Sequence, residues 1–221
     1  MTFDNSVTEE FGWTAFGIGG SDFYIHPVVF REVARLGVKR ILDIGSGVGG
    51  LAKVLTDRGY DMVGVEYDSA GVELSRKALP NIKFYHFGVE DDPLLLLREE
   101  GKAFDCVLST EVIEHLYAPN LLLSYASAVL RDDGIIILTT PYHGYLKNLL
   151  ISLVNGWDPH LCPYWLGGHI KFWSRKTLTE FLAANGFEVI RFRGCGRLPW
   201  LWKSMMISAR KVPGTVAQKT S

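Results

Sequence analysis

Leu42-Asp43-Ile44-Gly45-Ser46-Gly47-Val48-Gly49-Gly50 carries the end of an apolar run, residues 40–44, straight into a turn built of glycines. A short uninterrupted apolar run reads as a strand buried on both faces. Gly45 and Gly47 let the backbone turn tightly and approach a ligand closely. The helical pattern that follows, residues 51–58 closed by Gly59, presents unpaired N–H groups and a positive dipole end at its start. A nucleotide-like cofactor is therefore expected at this turn. Read literally, Gly45, Gly47 and Gly50 also satisfy the dinucleotide pattern G-x-G-x-x-G, and Glu66 can hold a ribose under either reading. A turn that merely joins strand to helix is the plain alternative.

Outward from the turn, strands alternate with helices. Residues 62–66, 82–87, 104–109 and 134–139 read as strands, and residues 71–79, 93–100 and 119–130 as helices. Residues 27–36 read as an opening helix with Pro27 in its first turn. This alternation implies an α/β fold, a doubly wound and mostly parallel sheet with helices on both faces. The tail differs, with a helix at 177–185 and then two strands, 187–193 and 204–210, joined by a loop holding Gly194, Gly196 and Pro199. A gap of about 10 residues leaves no helix between them, so they pair antiparallel. We expect one domain over 1–221, with a leader and cap at 1–26 and an aromatic lid at 142–168 that is too long for an ordinary connection. Phe11, Trp13 and Phe16 of the leader are expected to cap the pocket.

The 221 residues are 48% hydrophobic and 21% charged, the composition of an ordinary folded protein. Lys plus Arg number 23 against 24 Asp plus Glu, a balance that argues against a nucleic-acid partner. Cys106, Cys162 and Cys195 are odd in number, far apart and make no Cys-x-x-Cys, so neither a disulfide framework nor a zinc knuckle is suggested. The chain's N-terminal stretch has no basic-then-apolar signal, and no run reaches the 18 or more apolar residues of a membrane span. A cytoplasmic protein, monomeric or a homodimer, is expected.

Five motifs in order resemble the class I S-adenosylmethionine-dependent methyltransferases, over roughly residues 40–210. LDIGSGVGG (42–50) is similar to that family's first motif and VGVEYD (63–68) to its second. FDCVLSTEVIEHL (104–116) resembles its fourth-strand motif, RDDGIIILTTP (131–141) its fifth, and KSMMISARK (203–211) its reversed last strand. The likeness is strongest to the ubiquinone-biosynthesis O-methyltransferases. It implies a Rossmann-like seven-stranded sheet and S-adenosyl-L-methionine as cofactor. Asp43, Gly45, Ser46 and Gly47 would border its methionine end, where the ammonium favours a nearby carboxylate. Glu66 would accept from the ribose hydroxyls with Tyr67 beside it. Val89 and Glu90 stand where the family contacts adenine, although its usual aspartate is Val89 here. Thr110 and Glu111 would lie beside the sulfonium.

Glu111, Glu114 and His115 stand at i, i+3 and i+4, so one helical turn would gather them, and His169 follows in GGHIKFWS. This set resembles the metal site of certain O-methyltransferases, the ubiquinone-pathway and small-RNA 2'-O-methyltransferases among them. It implies a divalent ion, Mg or Mn, that activates an acceptor hydroxyl. Two carboxylates with two imidazoles also suit Fe, Co and Zn, better than they suit Mg. Local hydrogen bonding without a metal is the alternative. In that case His115 or His169 would be the general base, with Glu111 in the same catalytic group.

Within 142–168, apolar residues at 146, 149, 150, 153 and 154 follow the rhythm of an amphipathic helix, with Lys147 on its polar face. That helix is read as a lid packed on its own domain, a wall for a greasy acceptor, or a patch resting on a membrane surface. Methyl transfer to a small, hydrophobic, hydroxylated acceptor leads. A nicotinamide-linked oxidoreductase and a noncatalytic cofactor-binding module are the alternatives.

Overall fold

A computed structural model describes residues 20–161, 163, 164 and 167–214. The leader aromatics Phe11, Trp13 and Phe16, and also Cys162 and Trp165, lie outside the described residues.

The elements run α1 (Asp22–Leu36), β1 (Arg40–Ile44), α2 (Gly50–Thr56), β2 (Asp61–Glu66), α3 (Ser69–Ala78), β3 (Lys83–His86), α4 (Pro93–Glu100), β4 (Phe104–Thr110), α5 (Pro119–Val129), β5 (Leu130–Pro141), α6 (Tyr145–Leu153), α7 (Trp157–Leu161), α8 (Arg175–Ala184), β6 (Phe187–Cys195) and β7 (Ser204–Lys211). Local chemistry sets many of these ends. Asp68 caps α3 by accepting from the N–H of Ala70 and Gly71, while Asp92 followed by Pro93 opens α4 and Gly101 closes it in the left-handed region. Ser174 and Thr177 make a reciprocal capping box at the start of α8.

The opening helix begins at Asp22, earlier than the start at Pro27 that its proline suggests. Asp22 sits in its first turn and lies 3.2 Å from His26 one turn on, so Pro27 falls inside the helix. The carbonyl that Pro27 cannot pair belongs to Phe23, a residue 76% exposed, so the unpaired group falls where the chain is open to solvent.

The sheet order is β3-β2-β1-β4-β5-β7-β6. Neighbours from β3 to β5 are parallel, and β7 is antiparallel to both β5 and β6. The antiparallel pair is as expected, with β7 inserted between β5 and β6 so that β6 forms the edge. Period-two alternation splits the core into two layers. Ile136 and Leu138 face α4, α5 and α8 on one side, and Ile135 and Ile137 face α1, α2 and α3 on the other. Strand order reverses between β1 and β4, and in open α/β sheets ligands bind outside the strand ends at such a reversal. No helix among the described residues is long and apolar enough to cross a membrane.

Candidate functional site

The glycine turn closes on the end of β2. Gly45 and Ser46 both donate their N–H to the Val65 carbonyl, at 2.9 and 3.0 Å, and Gly47 donates to Glu66 Oε2 at 2.7 Å. Glu66 Oε1 accepts from the Asp68 N–H at 2.9 Å. Gly45 has φ +74°, and a Cβ there would stand 2.4 Å from Val112 Cγ2, so both backbone and space demand glycine.

Above this turn lies a cavity of about 1050 Å³. Asp43, Gly45, Ser46, Gly47 and Glu66 line its floor, Tyr67, Val89 and Glu90 one wall, and Thr110, Glu111, His115 and His169 another. Asp43 is 1% exposed, and its Oδ1, like Ser46 Oγ, has no hydrogen-bond partner among the described residues. Burial, with the charges of Glu66 and Asp22 adding to it, pushes the Asp43 carboxyl up to about 7. Burial also raises Glu66, against the pull of the N–H donors of Asp68 and Gly47. A buried carboxylate oxygen left unpaired beside a cavity is a place for a cationic ligand group.

The Glu111 to His115 segment departs from expectation. Residues 111–118 are not helical, and Glu111 has φ +53°, outside the helical region. Its carboxylate is drawn away by the Thr139 hydroxyl at 2.9 Å and the Ser204 hydroxyl at 3.0 Å, and its N–H donates to the Thr139 carbonyl. The single helical turn presenting three ligands therefore does not form. The ligand atoms of Glu114, His115 and His169 lie within 4.8 Å of one another, and Glu111 stands outside that group.

His169 arrives by backbone pairing. The Glu114 carbonyl accepts from the N–H of Ile170 and Lys171, which docks the GGHIKFWS segment against the turn. His115 Nδ1 meets the Gly167 carbonyl at 2.7 Å, and the rings of His115 and His169 contact edge-to-face at 4.9 Å. His169 Nε2 is 4.0 Å from Glu114 Oε1. Glu114 is fully buried with neither carboxylate oxygen hydrogen-bonded among the described residues, and burial together with Glu111 drives it well above the usual carboxylate range. Burial lowers His115 despite its carbonyl partner, and burial with the nearby His115 takes His169 down to about 4.

Beyond His169 a second cavity of about 670 Å³ shares Tyr24, Pro141, His169 and Lys203 with the first. Neither Tyr24 nor Lys203 was marked as a site residue by the sequence motifs; they meet here because α1 and the β6–β7 loop converge, with Lys203 Nζ 5.1 Å from the Tyr24 ring centre. The insertion also inverts the expected face. Lys147 is the buried residue of α6, while Leu146, Leu149, Leu150 and Leu153 are exposed. The cause is a pair of hydrogen bonds: Lys147 Nζ donates to the carbonyls of Tyr142 and Lys203 at 2.8 and 3.3 Å.

Comparison with known proteins gives a match to the methyltransferase domain family over residues 24–191. A probable S-adenosylmethionine-dependent methyltransferase of Mycolicibacterium smegmatis is 30% identical over 168 residues, covering 76% of this chain and 59% of that protein. A ubiquinone biosynthesis O-methyltransferase of Azorhizobium caulinodans is 30% identical over 181 residues, covering 74% and 64%. The chain thus spans about three fifths of the length of these relatives. Among solved structures, the magnesium protoporphyrin IX methyltransferase of Synechocystis with bound S-adenosylhomocysteine superposes with TM-score 0.64 at 15% identity, covering 90% of each chain.

Proposed function

This chain belongs to the methyltransferase domain family, and on that footing we propose that it transfers a methyl group from S-adenosylmethionine to a hydroxyl oxygen of a small, hydrophobic acceptor. The observation that carries the cofactor reading is the unpaired, buried Oδ1 of Asp43 beside the glycine turn. It suits the ammonium of the methionine end, and Glu66, with lone pairs beyond the two N–H groups it accepts, suits the ribose hydroxyls. Tyr67, Val89 and Glu90 would flank the adenine, and Ser46 and Thr110 the rest of the cofactor. A dinucleotide fits less well, because its pyrophosphate would face the Asp43 and Glu66 carboxyls at the same turn.

The reaction is an in-line displacement. The sulfonium C–S bond breaks with its electron pair returning to sulfur, the acceptor oxygen forms the new C–O bond, and its proton passes to a base. His115 supports that role. With Nδ1 donating to the Gly167 carbonyl, the neutral ring carries its lone pair on Nε2, and burial favours the neutral form. Most of the acceleration would come from positioning the two substrates in the cavity. Glu111, held by Thr139 and Ser204, would shape the wall beside the sulfonium.

Glu114, His115 and His169 also fit a divalent ion, since a buried carboxylate without a hydrogen-bond partner and two imidazoles converge there. One carboxylate and two nitrogens suit Mn, Fe, Co or Zn better than Mg. A bound ion would lower the pKa of the acceptor hydroxyl, with His115 serving as ligand. The exposed Leu153, Val154 and Tyr164 of the insertion support peripheral contact with an apolar surface such as a membrane. Calorimetry against S-adenosylhomocysteine and NAD tests the cofactor, and labelled methyl transfer into a metabolite extract tests the reaction. Binding of NAD without S-adenosylhomocysteine would overturn the proposal.

A further inference from the structure

The second cavity carries a charge imbalance that methyl transfer by itself does not use. Lys147, Arg197 and Lys203 line it, and none of its lining residues is acidic among those described. Lys147 is 7% exposed, and the described residues place no carboxylate within ion-pair distance of Lys147, Arg197 or Lys203. Two of the three ammonium protons of Lys147 are taken by carbonyls. Glu111 attracts it from the neighbouring cavity, yet that carboxylate already serves Thr139 and Ser204. A buried cation without a counter-ion is costly, and a ligand anion removes that cost.

Apolar side chains accompany the cations, with Leu150 and Ile151 of α6 and Leu198 and Leu201 of the β6–β7 loop lining the cavity beside His143 and His160. Arg197 is held at φ +54°, a backbone conformation that arginine rarely adopts and that the loop must maintain. His143 lines the same wall, and burial with neighbouring Lys147 keeps it neutral by taking it down to about 4. Burial and the nearby Arg197 hold Lys147 down at about 8, the mark of a cation in a site short of negative charge.

We infer that this cavity receives the anionic group, a carboxylate or a phosphate, of an amphipathic acceptor whose hydroxyl reaches past His169 toward the glycine turn. This rests on the methyltransferase reading, since Tyr24, Pro141, His169 and Lys203 are common to both cavities. Lys147 and Arg197 hold the anion, and the leucines hold the apolar arm. Acceptors with a neutral or cationic head bind more weakly, because they leave Lys147 uncompensated.

The test is calorimetry on the full chain with S-adenosylhomocysteine present, titrating dodecanoate, dodecyl phosphate, dodecan-1-ol and dodecyltrimethylammonium below their aggregation concentrations. The two anions are expected to bind at least about tenfold more tightly than the alcohol, the size of one charge-assisted hydrogen bond. Whichever anion binds better identifies the head group. Lys147→Met and Arg197→Gln should each remove most of that preference while the alcohol's affinity stays within about twofold, as expected when only the ionic contact is lost. Arg197 is exposed, so its variant remains informative even where Lys147→Met fails to fold. Equal binding of anions and alcohol, or a preference that survives in both variants, overturns the inference. S-adenosylhomocysteine affinity, measured first and alone, keeps the two readings apart: its absence defeats the proposed function, while normal affinity without anion preference defeats only this inference.

Discussion

Gly47 donates its N–H to Glu66 Oε2 at 2.7 Å, so the turn after β1 and the end of β2 are joined by one carboxylate that also accepts from Asp68. The residue proposed to hold the ribose is therefore the residue that sets the shape of the glycine turn. Replacing it disturbs binding and geometry together.

Glu66→Gln keeps the volume but offers an NH2 where a carboxylate oxygen now accepts a backbone N–H. We expect S-adenosylhomocysteine affinity to fall about 10- to 100-fold, from the loss of one charge-assisted hydrogen bond at roughly 1.5–3 kcal/mol. Calorimetry measures it, and unchanged affinity would remove Glu66 from the cofactor site.

Asp43 makes cofactor binding depend on pH. Its folded carboxyl, pushed up to about 7 by burial and by Glu66 and Asp22, lies above its unfolded value. The empty protein thus binds the extra proton, and its stability falls as pH rises from about 4 toward 7. A cofactor ammonium favours the ionised form, so affinity should rise between pH 6 and 7.5 with proton release on binding. Titrations in buffers of different ionisation enthalpy count that proton, and Asp43→Asn should abolish it.

Gly45→Ala sets a Cβ 2.4 Å from Val112 Cγ2 at a φ of +74°. The backbone strain alone is worth about 1–3 kcal/mol. Thermal denaturation should show the loss, and the double variant with Val112→Ala should recover only the steric part.

Glu32 ties α1 to the last strand by accepting from the Ser208 hydroxyl at 2.7 Å and from Arg35 at 2.6 Å. Burial pushes its carboxyl up, but these donors and Arg191 outweigh it and hold it below the usual range. Its contribution is present above the unfolded value of about 4.3 and is lost as pH falls through the lower folded value. Ser208→Ala should cost about 1 kcal/mol near neutrality in urea unfolding. That penalty should shrink in acid.

His115→Ala should lower turnover by about 10²- to 10⁴-fold with S-adenosylhomocysteine affinity unchanged. Dialysis against a chelator separates base from ligand: turnover that persists assigns the base, and turnover lost and restored by Mn assigns the metal group. A variant with full turnover removes His115 from both roles.

The residues 40–50 and the alternation around them were sufficient to read the parallel sheet, the antiparallel tail and the position of the glycine turn. Apolar periodicity, prolines and glycines act within a few positions, so each element could be placed from its own neighbourhood. Spacing misled where a distant contact overruled it. Glu111 matches Glu114 and His115 in helical register, yet Thr139 and Ser204, up to 93 positions away, hold it apart. His169 joins His115 through a loop that closes at Gly167, 52 positions on. Lys147 reads as solvated in a local amphipathic pattern, and lies buried because the carbonyls of Tyr142 and Lys203 meet it there.

The chain's own order of residues thus determined the strands and the glycine turn, since those follow from nearest-neighbour sterics and apolar periodicity. Only the folded arrangement decided which side chains share a cavity, because hydrogen bonds across strands and loops are set by packing that no local pattern encodes.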